Sequence, residues 1–236
     1  MARGSTLVRL LDLYRAEIRA SQNPAHNNQV RDTQVKLLQR IQEWLWEDFD
    51  WPLLRVERFL ELQDGQRYYD TPADLDVDRI AKIEVYHDSA WCALKPGIDA
   101  EHFTAYDSEK DERQWPPQRW RFAENEAFEI WPIPDTNYDS VTKEGWLKIT
   151  GTRKLSDLVK DEDRADLDDR LIVLYAAAET LASTGAKDAN LKLDQANKRY
   201  AKLRGSQTPR RKFKMFGAGR DERPQRIPIA VYNKTS

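Results

Sequence analysis

The chain is short of cysteine, short of histidine and without a long apolar run, and each shortage removes a class of function. A single thiol, Cys92, rules out an internal disulfide and any metal site built from several cysteines. It is expected to sit in a strand as a small buried apolar residue, in a protein made in a reducing cytoplasm. The three histidines, His26, His87 and His102, share no helix at metal-ligand spacing. The longest apolar runs, such as Leu171–Tyr175, are far too short to cross a bilayer, so no membrane contact is expected. The opening residues lead into a segment carrying Arg9, Asp12, Arg15 and Glu17, where a signal peptide needs an uncharged apolar stretch. Phosphate-binding loops are missing as well, because Gly217 and Gly219, the only closely spaced glycines, have no strand before them or helix after them. The expectation is a protein that is not an enzyme and that uses no metal and no cofactor.

Carboxylates, in contrast, are plentiful. Asp161-Glu162-Asp163, Asp166, Asp168 and Asp169 come just before a helical pattern, where negative charge favours the N-terminal dipole. That structural role is the expected one. A hydrolase acting on cell walls through a pair of acidic residues stays open as an alternative, since any acidic protein offers candidate pairs.

Apolar residues make up 40% of the chain and charged residues 33%, a balance that supports a packed core in water. Net charge is only −2, but it is unevenly spread. Thr208–Ser236 holds eight Lys/Arg and two Asp/Glu, about +6, which leaves the remainder at about −8. A basic tail on an acidic body marks an interaction arm.

Four helices are expected. Leu7, Leu10, Leu11, Tyr14 and Ile18 form one face of a helix over 6–19, with Ser5 as its N-cap. Val30, Gln34, Leu37, Leu38, Ile41, Trp44, Leu45 and Phe49 stripe a second over 28–48, which Trp51-Pro52 ends. Leu171, Leu174, Tyr175, Ala178, Leu181 and Ala182 stripe a third over 167–183, stopped by Thr184-Gly185. Ala189, Leu193, Ala196, Tyr200 and Leu203 stripe a fourth over 186–204, ended by Gly205. Between the pairs, apolar residues come in short runs split by Pro, Gly and Asp, as in strands. Phe59–Leu62 and Arg67–Tyr69 read as a hairpin through a primed turn at Asp64-Gly65. Trp120–Phe122 and Phe128–Trp131 read as another through Glu124-Asn125-Glu126. Strands are expected at 82–86, 91–94 and 146–150, a short helix at 99–105, and loops or sheet edges at Trp115-Pro116-Pro117 and Trp131-Pro132.

The fold class is therefore α+β: a mainly α-helical bundle of about four helices from 1–52 and 155–206, an inserted β-rich domain over 53–154, and an extended basic C-terminal arm over 207–236. Nucleic-acid binding by the body is not expected. Trp44, Trp46 and Trp51 lie near Lys36 and Arg40, but Glu43, Glu47, Asp48 and Asp50 interleave with them, and phosphate needs a net positive surface. In the arm, Ile227-Pro228-Ile229-Ala230-Val231-Tyr232 has the alternation of an extended strand without a core of its own to join. Such an arm reaches on the order of 90 Å when extended, enough to find another subunit.

Several segments together resemble the adaptor, or head-completion, proteins of tailed double-stranded DNA phages, which form the ring directly below the portal. They are Asp50-Trp51-Pro52-Leu53-Leu54-Arg55, then Tyr69-Asp70-Thr71-Pro72-Ala73-Asp74-Leu75-Asp76, then Phe128-Glu129-Ile130-Trp131-Pro132-Ile133-Pro134. The closing pair is the run from Leu167 to Ala178 and the helix from Ala189 to Arg204. The likeness covers most of Asn28 to Gly205 and rests on order and spacing, since no one segment is a sharp signature. It implies a structural subunit at the head–tail junction of a virion, assembled in the host cytoplasm, in a homo-oligomeric ring of about twelve copies. It implies as partners the portal protein and a tail or nozzle protein, with double-stranded DNA passing through the channel without sequence-specific binding. It implies no catalytic residue. A C-terminal arm commonly docks on the portal in this family. That role is transferred to Arg210, Arg211, Lys212, Phe213, Lys214, Phe216, Arg220, Arg223, Arg226, Ile227, Ile229, Val231 and Tyr232, although no family motif matches them one by one. A tail-completion ring protein and a DNA-binding regulator with a basic tail are the remaining alternatives.

Overall fold

A computed structural model describes residues 3–21 and 30–207. The chain mixes α and β around two apolar clusters. One draws on four long helices: α1 (Leu7–Glu17), α2 (Arg31–Asp48), α4 (Asp169–Ser183) and α5 (Ala189–Gln207). The other lies between two four-stranded sheets. A fifth, short helix, α3 (Ala100–Ala105), lies within the β-rich segment.

Helix α4 sits at the centre of the first cluster and contacts α1, α2 and α5. Every residue from Leu171 to Ala178 is buried, so its apolar character runs all round the helix and needs neighbours on every side. Its N-terminus is satisfied by Asp168, whose Oδ1 accepts the N–H of Leu171 at 2.9 Å. The same buried carboxylate takes two bonds from the Arg199 guanidinium on α5, at 2.6 and 2.7 Å. The acidic run before α4 thus has structural partners: Asp166 pairs with Arg153, and Asp163 accepts the N–H of Val159 at 2.8 Å. Helix α1 starts one residue later than expected, and Ser5 is not its cap. Thr6 holds the N-cap position without a side-chain bond, and the first N–H of the helix, on Leu7, donates to the Asp163 carbonyl at 2.8 Å. Across the helices, Arg15 Nε donates to Gln34 Oε1 at 3.0 Å, which explains a glutamine in the apolar stripe of α2. The expected start of α2 at Asn28 falls outside the described residues. Gly205 does not end α5: its backbone is not in the left-handed region that a glycine stop uses, and the helix runs on to Gln207.

The first sheet has the order β1-β8-β3-β4 and is antiparallel throughout, with β1 at Arg55–Glu61, β8 at Trp146–Arg153, β3 at Leu75–His87 and β4 at Ala90–Ala93. The second has the order β2-β7-β6-β5, with β2 at Tyr68–Asp70, β7 at Ala127–Trp131, β6 at Arg119–Phe122 and β5 at Lys95–Pro96. The expected hairpin of β6 and β7 is present, its turn carried by Asn125 and Glu126 at positive φ. The expected hairpin from Phe59 to Tyr69 is not. β1 pairs with β8 and β2 with β7, so the chain crosses from one sheet to the other through Asp64-Gly65. A primed turn needs positive φ at its first central residue, and at both in type I′, but here only the second, Gly65, has it (φ +74°), with the Arg113 guanidinium filling the space a side chain would take. That geometry belongs instead to Asp88 (φ 49°) and Ser89 (φ 61°), which join β3 to β4. Cys92, expected to be buried, faces out from edge strand β4 and is exposed. Inner-face residues Leu147, Ile149, Ile83 and Val85 of the first sheet meet Phe128 and Ile130 of the second, and all six are fully buried.

Removing the α4 cap should be costly, because it strands the Arg199 charge as well. Asp168→Ala is expected to lower the unfolding free energy in urea by about 3 kcal/mol, and Asp168→Asn by less. A loss under about 1 kcal/mol for Asp168→Ala would show that the pair does not hold α4 to α5.

Candidate functional site

The thirteen arm residues singled out from the sequence, Arg210 through Tyr232, lie outside the described residues. The structure does show the helix that precedes them in the chain. The last turns of α5 are seated where α2 passes into β1. Leu203 is buried there, and the Tyr200 hydroxyl donates to Asp48, the last residue of α2. Arg204 reaches the same carboxylate at 3.6 Å and lays its guanidinium over the rings of Phe49, 5.2 Å away, and Tyr200, 5.3 Å away. Phe49 meets Trp51 edge-on at 5.0 Å, and the Trp51 indole N–H donates to the Leu45 carbonyl at 2.7 Å. Asp48 is the hub of this junction, and the sequence reading saw it only as one carboxylate among several. A clue was present. A carboxylate at the C-terminal end of a helix opposes the helix dipole, so it calls for a cationic or hydroxyl partner. Burial, then the bond to Asp48, pushes the Tyr200 phenol up to about 12.

The second feature is the outer face of the first sheet. Tyr86, Trp91, Phe59, Trp146 and Tyr138 form a continuous chain of ring contacts, with centroids 5.0–5.9 Å apart. Phe59 at its middle is 46% exposed. Lys148 lies over Trp91 at 4.3 Å and pairs with Glu84 at 2.9 Å, so the row is interleaved with charge. On the second sheet, Glu129 is fully buried and held between Arg67 at 2.7 Å and Arg121 at 2.5 Å. That arrangement fixes the register of β2, β6 and β7 and leaves the carboxylate no free oxygen for chemistry.

The titratable groups that could have marked an enzyme have structural partners. His87 Nδ1 lies 2.5 Å from Glu144 Oε1, and the carboxylate also accepts the backbone N–H of Asp88, so the pair staples the β3–β4 turn to the loop before β8. His102 closes a capping box with Asp99 on α3. His26 lies outside the described residues. Among the described residues, no group of three or more His, Cys, Asp or Glu is placed to hold a metal ion, and no helix is long and apolar enough to cross a membrane.

The protein-family profile described as SU10 adaptor protein matches residues 5–223. The chain belongs to that family, a phage head–tail adaptor family, and is accordingly a structural component of a virion. No curated protein matches it. The match spans both helix pairs and the β-rich segment between them, and extends to residue 223.

The Tyr200–Asp48 junction makes a signed prediction. A phenol whose folded pKa stands near 12, against 10 when free, contributes stability that is intact below pH 10 and drains away as pH rises toward 12. The unfolding free energy of the native chain should therefore fall more steeply between pH 10 and 12 than that of Tyr200→Phe. Identical slopes in urea titrations across that window would mean that the phenol is not held at this junction.

Proposed function

We propose that this adaptor protein is the subunit of a ring that joins the portal to the tail and forms part of the DNA channel, with the arm Thr208–Ser236 docking on the portal. The observation that carries the reading is the family match over 5–223. Physical features of the chain support the finer points. The arm combines eight cationic side chains with Phe213, Phe216, Ile227, Ile229, Val231 and Tyr232. A purely electrostatic tether has no use for those apolar residues, whereas an extended segment laid into a groove of a partner does. Its root is fixed by Asp48, Tyr200 and Arg204, so the arm leaves the body from a defined place. Partners on this reading are the portal protein, a tail or nozzle protein and further copies of the chain, in a ring of about twelve. Closure links the arms, so that modest single contacts become durable through multivalency. The acidic balance of the body lets double-stranded DNA slide past it without sequence-specific binding, since phosphate is repelled.

The two apolar clusters support a division into a four-helix bundle (1–52 and 155–206), a β domain inserted over 53–154, and the arm (207–236). In this arrangement the helical part makes the ring and the β part, with its row of aromatic rings, faces the tail.

Deleting Thr208–Ser236 is expected to leave the circular-dichroism spectrum and melting of the body unchanged and to abolish co-sedimentation with portal rings. A truncated chain that still sediments with the portal would contradict the docking role.

A further inference from the structure

Two clefts flank helix α4. The first, about 510 Å³, opens between α2, α4 and α5 and is lined by Trp44, Tyr175, Ala178, Ala182 and Leu193. Leu193 belongs to the apolar stripe of α5 and was expected to be buried, yet it is 42% exposed, and Trp44 is 43% exposed. The stripe is buried at Ala196 and Leu203 and exposed at Leu193. The second cleft, about 500 Å³, lies between α1, α4 and α5, with Leu13 of α1 and Val173 of α4 beside Arg9 and Arg170. Here Leu13 of α1 is 40% exposed. The α4 residues lining the two clefts, Asp169, Arg170 and Val173 against Tyr175, Ala178 and Ala182, are centred about 180° apart at 3.6 residues per turn.

We infer that these two faces are the two halves of one contact between copies of this chain: the edge of α1 that carries Leu13, with Val173 beside it, from one copy lies in the α2–α4–α5 groove of the next. The inference rests on the ring reading above and specifies which surfaces close the ring. Three observations carry it. The faces are different and lie on opposite sides of α4, the arrangement that a head-to-tail contact requires and a two-fold contact does not. Both are apolar at the middle. Their charges are complementary. Trp44 is bracketed on α2 by Glu43 and Glu47, and Leu13 is bracketed by Arg9 and Arg170. Among the described residues none of these four has an ion-pair partner; Glu43 accepts only an amide bond, from Gln39. The other charged side chains lining the clefts are engaged within one copy: Arg40 pairs with Glu179, Glu17 with Lys192 and Arg199 with Asp168, and Asp169 accepts the backbone N–H of Ser5. A helix laid in a groove, with cations of one copy against carboxylates of the next, gives both affinity and a fixed direction around the ring.

The full-length chain with Cys92→Ser, Leu13→Cys and Leu193→Cys, treated with a short bis-maleimide under conditions in which the native chain sediments as rings on portal, should give a covalent ladder from dimer upward. Each single-cysteine variant alone should give no covalent product, and a mixture of the two should stop at the dimer. A groove that binds its own kind would cross-link the Leu193→Cys variant to itself and overturn the proposal. No ladder from particles that sediment as rings would overturn the contact while leaving the ring intact. A native chain that stays monomeric, alone and with portal, would overturn the ring reading, and this contact with it.

Discussion

The structure depends on the encasement of α4. Eight consecutive residues, Leu171 to Ala178, are buried, so that stretch has no polar side to offer to water. Such a helix is stable only when other elements surround it, and α1, α2 and α5 do so. Those helices come from opposite ends of the sequence. The entire β-rich segment, from β1 to β8, is therefore a long excursion between α2 and α4 whose two ends must return to one place. Strand pairing enforces that return: β1 follows α2 directly, β8 leads back to α4, and the two are hydrogen-bonded neighbours from Arg55–Thr152 to Glu61–Trp146.

Buried charge sets the register of this assembly. Asp168–Arg199 ties the start of α4 to α5, and Glu129 on β7 holds Arg67, just before β2, and Arg121 on β6; nearer the surface, Asp48 gathers Tyr200 and Arg204 at the end of α5. Desolvation offsets much of the attraction in such pairs, so their contribution is to specify which elements meet more than to add net stability. This suits a protein whose work is geometric. The carboxylates that would suggest hydrolysis in another setting are here engaged as caps and clamps.

The helices were largely legible in the sequence because their apolar residues repeat at three and four, and the β6–β7 hairpin because its strands are close in the chain. What was not legible depended on distant partners. Phe59–Leu62 and Arg67–Tyr69 look like a hairpin locally, but β8 and β7, far along the chain, compete for them and win. Cys92 looks like a core residue until β4 proves to be a sheet edge. Leu193 continues the stripe of α5, yet it is exposed among the described residues. Gly205 reads as a helix stop, yet glycine ends a helix only where the chain needs a left-handed turn, and here it does not. Of the candidate site, composition exposed the arm, while its root at Asp48 could be found only from the fold.

Membership of the SU10 adaptor family makes the chain a structural part of a phage particle. The proposed function assigns the groove and the aromatic sheet face open among the described residues, and the basic segment 208–236, to a second copy, the tail and the portal in turn. Electron cryo-microscopy of the neck of the native particle tests this most directly. The account predicts a closed ring of this chain directly beneath the portal, with each helical layer touching the next copy and each C-terminal segment lying on the portal surface. Density that places the chain as isolated copies elsewhere in the particle, or with the C-terminal segment folded into its own helical core, would contradict it.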